Sequence, residues 1–182
     1  MYIMNSNELK QYLKDSVKDF RLPRYAEIPT VGLYLEQVAK YINGFLRPLG
    51  CAEITTSMIS NYVKKGFITP PQKKQYCTDQ IAHLIFITIV KNVLSLENIM
   101  ELLALRNGTH YSLPEAYDYF CCELENMLAY VYGLKDEPEK NLGTTHSEEK
   151  AFLRNVIISV SHSIYLGECF SEMKKYKNWV EE

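Results

Sequence analysis

The chain has 182 residues, 47 % hydrophobic and 23 % charged, a balance that excludes a disordered polymer and allows one or two domains with a real core. Only 8 Gly and 7 Pro leave too few tight turns for an all-β fold. The net charge of −2 hides a split: residues 1–94 carry 12 Lys/Arg against 7 Asp/Glu, and residues 95–182 carry 8 against 15, so a polyanionic partner is expected at the front half.

No apolar run approaches the roughly 18 uncharged residues of a membrane span. The start, MYIMNSNELK, turns polar at once, so neither a signal peptide nor a membrane partner is expected. Five cysteines (Cys51, Cys77, Cys121, Cys122, Cys169) form no CxxC pair, which suits reduced thiols and a cytoplasmic location.

The first helix is expected from Asn5 as N-cap, with Glu8 completing a capping box and Leu9, Leu13, Val17 and Phe20 forming its apolar stripe. Pro23 and Pro29 then enforce an extended connector. A second helix is expected from Thr30, with Val31, Leu35, Val38, Ile42 and Leu46 on one side, ending at Pro48 and Gly50. A third runs from Thr55 as N-cap to Lys65, stopped by Gly66. Pro70-Pro71 and Lys73-Lys74 form a turn, Thr78 caps a helix to about Val93, and Ser95 caps another to about Leu105.

Arg106-Asn107-Gly108 breaks the pattern and serves as a domain boundary. Beyond it, Ser112 with Glu115 opens a helix ending near Gly133, and residues 135–146 read as a loop. Thr145 with Glu148 caps a last long helix bearing Phe152, Val156, Val160 and Ile164, which Gly167 weakens or bends. The division is an N-terminal helix and connector over 1–29, a central unit over 30–106 and a helical region over 107–182.

The third helix carries the functional signal. Helical spacing puts Ile59 and Val63, flanked by Met58 and Tyr62, on the inner side, and Ser57, Ser60, Asn61 and Lys64 on one outer face. Short polar side chains approach base edges closely, and a lysine neutralises phosphate. The same face is also what a merely solvated helix would show.

Cap, short helix, Gly stop, Pro-containing basic turn, Tyr and second capped helix together resemble the MerR-type winged helix-turn-helix over Ile54 to about Leu103. The matching steps are Gly66-Phe67-Ile68, Pro70-Pro71-Gln72-Lys73-Lys74, Tyr76-Cys77-Thr78-Asp79 and Leu94-Ser95-Leu96-Glu97-Asn98-Ile99. That resemblance implies a reading helix presenting Thr56, Ser57, Ser60, Asn61, Lys64 and Lys65, and a wing with Lys73 and Lys74 on phosphates and Tyr76 at the wing-tyrosine position as a further DNA contact. Ser60 stands where an Arg is common in that family, and the wing is several residues shorter. The segment Leu22-Pro23-Arg24-Tyr25-Ala26-Glu27-Ile28-Pro29, the helix after it and Ile54 to Leu103 also resemble the bacterial proteins grouped as domain of unknown function 1836. This second resemblance covers about residues 20–135 and implies the same fold without an activity.

No GxGxxG or GxxxxGK[ST] loop is present, and His83, His110, His146 and His162 sit far apart, so no nucleotide, metal or other cofactor is expected. Cys121 and Cys122 point about 100° apart on a helix and read as packed thiols rather than a chelating pair. The tyrosines, phenylalanines and Trp179 after residue 110 are either packing or the lining of a small-molecule effector pocket.

The expected protein is all-α with a minimal β-wing: a MerR-like unit followed by a helical C-terminal region that dimerises or binds an effector. It is expected to be a homodimeric DNA-binding transcriptional regulator rather than an enzyme. The alternative is a winged-helix protein-interaction module without DNA binding, favoured by the short wing and disfavoured by the basic front half.

Overall fold

The computed structural model describes residues 6–140 and 147–177. The protein is helical, with a two-stranded sheet among the described residues. Helix α1 (Ser6–Val17) buries Leu13 and Val17, and Leu9 and Phe20 pack beside them. Its expected cap, Asn5, lies outside the described residues. The connector is extended as expected except for one 3-10 turn over Tyr25–Glu27.

The second helix does not start at Thr30. Leu33–Tyr34 form strand β1, antiparallel to β2 (Gln75–Tyr76), with Leu33 opposite Tyr76 and Tyr34 opposite Gln75. Helix α2 (Leu35–Leu46) follows directly; Val38, Ile42 and Leu46 are buried, whereas Val31, assigned to that stripe, is exposed. A sheet partner far along the chain overrides the helical period there. Gly32 permits the pairing, because a Cβ on it would come within 2.8 Å of the Gln75 Cβ.

Helix α3 (Thr56–Lys64) is capped as expected: the Thr55 hydroxyl accepts from the Met58 amide at 3.2 Å. Gly66, at φ 76°, closes it with Phe67 N–H donating to Tyr62 O at 2.9 Å and Gly66 N–H to Val63 O at 3.0 Å, a Schellman motif.

Helix α4 (Thr78–Val90) is buried almost all round, as a stretch from Ile81 to Val90 that is apolar but for His83 and Thr88 demands. It is the hub against which α2, α5 (Leu96–Asn107), α6 (Leu113–Val131) and α7 (Glu148–Lys177) pack. Thr78 is not its cap. Cys77 occupies that position, its N–H donating to the Gln80 carboxamide at 2.8 Å, and the Thr78 hydroxyl instead donates to Pro29 O at 3.1 Å, holding the connector.

Ser95 caps α5, and Ser112 with Glu115 makes the expected capping box on α6. The α7 cap differs: the Ser147 hydroxyl accepts from the Lys150 amide at 3.3 Å, while Thr145 lies outside the described residues. Gly167 leaves α7 unbroken. Lys150 sits over Tyr111 and Tyr119, Arg154 pairs with Glu123, and Tyr165 and Glu168 meet Tyr132. The numbers climb together, so α6 and α7 run in the same direction. One cluster of buried side chains extends from Leu13 to Ile164, across the expected boundary at 106–108.

Candidate nucleic-acid interface and an apolar groove

The outer side of α3 is open. Ser57, Ser60, Asn61, Lys64 and Lys65 are exposed, Thr56 is half-buried, and Ile59 and Tyr62 are buried beneath them. The helix is held from below by α2. Asn43 reaches across the turn, accepting from Ile54 N–H at 2.9 Å and donating to Ile54 O at 3.0 Å, so the segment entering α3 has both backbone groups satisfied by one side chain.

Gln72 and Gln75 exchange both backbone hydrogen bonds, 3.1 Å and 2.8 Å, around Lys73 and Lys74. Those two lysines have φ of 48° and 66°. A two-residue hairpin with both central residues in the left-handed region is a type I′ turn, which favours Asn-Gly because side chains are strained there. Here it presents two exposed lysines. Buried Gln80 anchors the approach to it, its amide donating to Thr69 O at 2.7 Å and Pro70 O at 3.2 Å. Among the described residues, none of Lys64, Lys65, Lys73 and Lys74 lies within ion-pair distance of a carboxylate.

Tyr76 stands apart from the other expected contacts. It is 4 % exposed, part of the core, and its burial raises its phenol pKa above the ordinary value. Its side chain belongs to the core cluster.

The connector before β1 is tied to the helices behind it. Arg24 forks onto Glu125, Tyr25 N–H donates to Asp118 at 2.7 Å, and the Tyr25 hydroxyl bonds Asp79. The Tyr25 phenol is pushed up to about 12, first by that hydrogen bond and then by burial. A family model described as a domain of unknown function, DUF1836, matches residues 23–120, more than half of the chain. The chain belongs to that family. The DUF1836 match takes in the connector, both strands, α2 to α5 and the first turns of α6, so the exposed helix and the lysine hairpin both fall inside it. No curated protein and no solved structure matches the chain.

Behind α4 lies a groove of about 460 Å³ between α4, α5, the turn after α5, α6 and the start of α7. Of the aromatic side chains that suggested a pocket, Tyr111, Tyr117, Tyr119 and Phe120 line it, whereas Tyr130, Tyr132, Phe152, Tyr165 and Phe170 do not; Tyr176 and Trp179 have no described side chains. Sequence reasoning missed Arg106 there, reading it as part of a helix break. His83 also lines the groove, its Nδ1 2.8 Å from Asp79 O and its imidazole held below the usual histidine range by burial.

Cys121 is buried and its thiol is pushed up to about 12 by desolvation, while Cys122 is half-buried with its thiol raised for the same reason. Neither is poised as a thiolate. Among the described residues no three His, Cys, Asp or Glu side chains gather as metal ligands, and none of the helices is long and apolar enough to cross a membrane. His146 lies outside the described residues.

Proposed function

We propose that this protein is a DNA-binding transcriptional regulator built on a MerR-like winged helix-turn-helix. Helix α2, the turn over 47–55 and α3 form the helix-turn-helix, and the 72–75 hairpin is a minimal wing. Ser57, Ser60, Asn61 and Lys64 enter the major groove, with Thr56 and Lys65 at its edge, and Lys73 and Lys74 neutralise phosphates. The observation that carries the reading is the hairpin tip. Two lysines occupy left-handed positions that a relaxed turn would give to Asn and Gly, and strain of this kind gathers where side chains are held out for a purpose. The absence of ion pairs at the four lysines, among the described residues, leaves their charge available.

The proposal includes a homodimer. Phe152, Leu166, Phe170 and Met173 are 51, 50, 58 and 49 % exposed, and helical geometry sets them within an arc of roughly 60° on α7. Two copies of α7 crossing antiparallel would set Phe152 of one against Leu166 and Phe170 of the other, with Ser159 and Ser163 near the twofold axis. A twofold pair gives two reading helices for two half-sites.

A mobility-shift titration with genomic fragments, including the DNA upstream of its own gene, tests this. Expected is sequence-selective binding whose salt slope falls by about one for each of Lys64→Glu and Lys74→Glu. Weak, sequence-blind binding that is unchanged in both variants overturns it. A protein-interaction module is the second reading, favoured by the burial of Tyr76, which removes one expected DNA contact from an already short wing.

A further inference from the structure

The groove behind α4 combines an apolar body with a guanidinium that no carboxylate among the described residues pairs. Phe86, Leu102, Leu103, Leu113, Phe120 and Leu153 supply its walls, and its volume of about 460 Å³ is within the range of small-molecule sites. Three carboxylates and three cationic or basic side chains also line it: Glu115, Asp118 and Glu149, and His83, Arg106 and Lys150.

The carboxylates are occupied. Glu115 accepts from the Ser112 backbone at 2.8 Å and hydroxyl at 2.7 Å in the α6 capping box. Asp118 accepts from the Tyr25 amide at 2.7 Å. Glu149 is held below the usual carboxylate range by its own backbone amide and by the Ser147 hydroxyl. None of the three reaches Arg106.

Arg106 differs. One terminal nitrogen donates to the Asn107 carboxamide at 2.7 Å, its Nε is buried with no hydrogen-bond partner, and no carboxylate among the described residues lies within ion-pair distance of it. A buried donor without a partner is expensive in a folded protein, and among the described residues no carboxylate offsets the guanidinium charge that Arg106 brings to the groove wall. The Lys150 ammonium, also on the lining, stacks 4.6 Å and 5.1 Å from the Tyr111 and Tyr119 ring centres.

We propose that this groove binds a small amphipathic carboxylate, with its apolar part along the leucine and phenylalanine walls and its carboxylate on the Arg106 guanidinium. A cationic ligand would meet only carboxylates already committed. A neutral apolar ligand would leave the Arg106 guanidinium charge without a counterion. A phosphate dianion would lose more hydration than one fork of donors returns, against walls this apolar. A monocarboxylate matches the edge of a guanidinium and tolerates the walls. This site stands apart from the α3 face, and its test uses no DNA, so either proposal can fail without the other.

Decanoate and 1-decanol, titrated into the full chain by calorimetry below their aggregation thresholds, test it. Decanoate is expected to saturate at one molecule per chain, to raise the thermal midpoint, and to bind at least about tenfold more tightly than decanol, which lacks the charge-assisted bonds. Arg106→Met is expected to remove that preference, with decanol affinity unchanged. Ala116→Phe, which fills the groove from α6, is expected to abolish binding of both. Overturning results are no saturable decanoate binding, equal affinity for decanol, or full decanoate affinity in Arg106→Met or Ala116→Phe. If a variant does not fold, the two ligands on the unaltered protein still decide the outcome.

Discussion

Arg24 and Glu125 meet fork to fork, with Nη1 donating to Oε1 at 2.7 Å and Nη2 to Oε2 at 2.6 Å. The same Oε1 accepts the Leu22 amide at 2.9 Å, so one carboxylate fastens the connector to α6 across about a hundred residues. The side chains are 23 and 20 % exposed, between a solvated pair worth little and a sealed pair worth several kcal/mol. Arg24→Met is expected to lower the unfolding free energy by about 1–3 kcal/mol, and Arg24→Lys to recover only part, because an ammonium cannot fill both bonds. Urea titration reads this as a shifted midpoint at constant slope. A loss under about 0.5 kcal/mol would reduce the fork to surface decoration.

Asn43 governs how firmly α3 is presented. Its carboxamide completes both backbone groups of Ile54, whose side chain is buried, so Asn43→Ala strands a donor and an acceptor in a shielded position. About 2–3 kcal/mol of stability should be lost. Asn43→Asp should fall between, retaining the acceptor for Ile54 N–H and losing the donor for Ile54 O. Amide hydrogen exchange is the sharper measure: Ile54 should exchange faster in Asn43→Ala, and unchanged protection there would show that something other than Asn43 holds the turn.

What was legible in the sequence is what chemistry writes locally. Thr55 and Ser95 as caps, the Ser112/Glu115 box, and Gly66 and Gly133 as left-handed stops all act within one turn of their own residue. The outer face of α3 was readable for the same reason, since a period of 3.6 needs no knowledge of the rest of the chain. The errors come from distant partners. Leu33 and Tyr34 join a strand because Gln75 and Tyr76 lie beside them, and Thr78 gives up its cap because Pro29 O is within reach. Tyr76 looked like a wing contact by position, but it is buried in a core that distant parts of the chain complete. The groove was visible only as an excess of aromatic residues; Arg106, four positions from Leu102 on α5, became part of it through the placement of α4, α6 and α7.

One double substitution at the lysine hairpin tests both its backbone strain and the proposed wing. Left-handed backbone at a side-chain-bearing residue costs about 1 kcal/mol or more, and Lys73 and Lys74 both adopt it. The double change Lys73→Asn and Lys74→Gly should therefore stabilise the fold by about 1–2 kcal/mol. If the hairpin is the wing, the same change should weaken DNA binding and lower the salt slope by about two. Higher stability with unaltered DNA affinity would separate the turn from function. No gain in stability would show that the tip is not strained.

His83 should make stability depend on pH from the acid side. Burial lowers its imidazole pKa most, the hydrogen bond to the Asp79 carbonyl raises it, the Arg106 charge lowers it and the Asp79 carboxylate raises it, with a net lowering. The unfolded chain titrates near about 6.5 and binds the proton more readily than the folded one. Stability is then full above that value and is lost as pH falls through it toward the lower folded value. Glu123 has the opposite sign, because burial raises its carboxyl pKa and its contribution falls as pH rises, so the unaltered protein alone does not isolate His83. The difference between it and His83→Gln does: urea unfolding from pH 5 to 7.5 should show a flatter profile in the variant. NMR titration of the imidazole adds the mechanism. In Arg106→Met the His83 pKa should move up toward the ordinary value, since one of the two lowering causes is gone, while burial keeps it from arriving there. An unmoved titration would mean that the guanidinium does not face the imidazole across the groove.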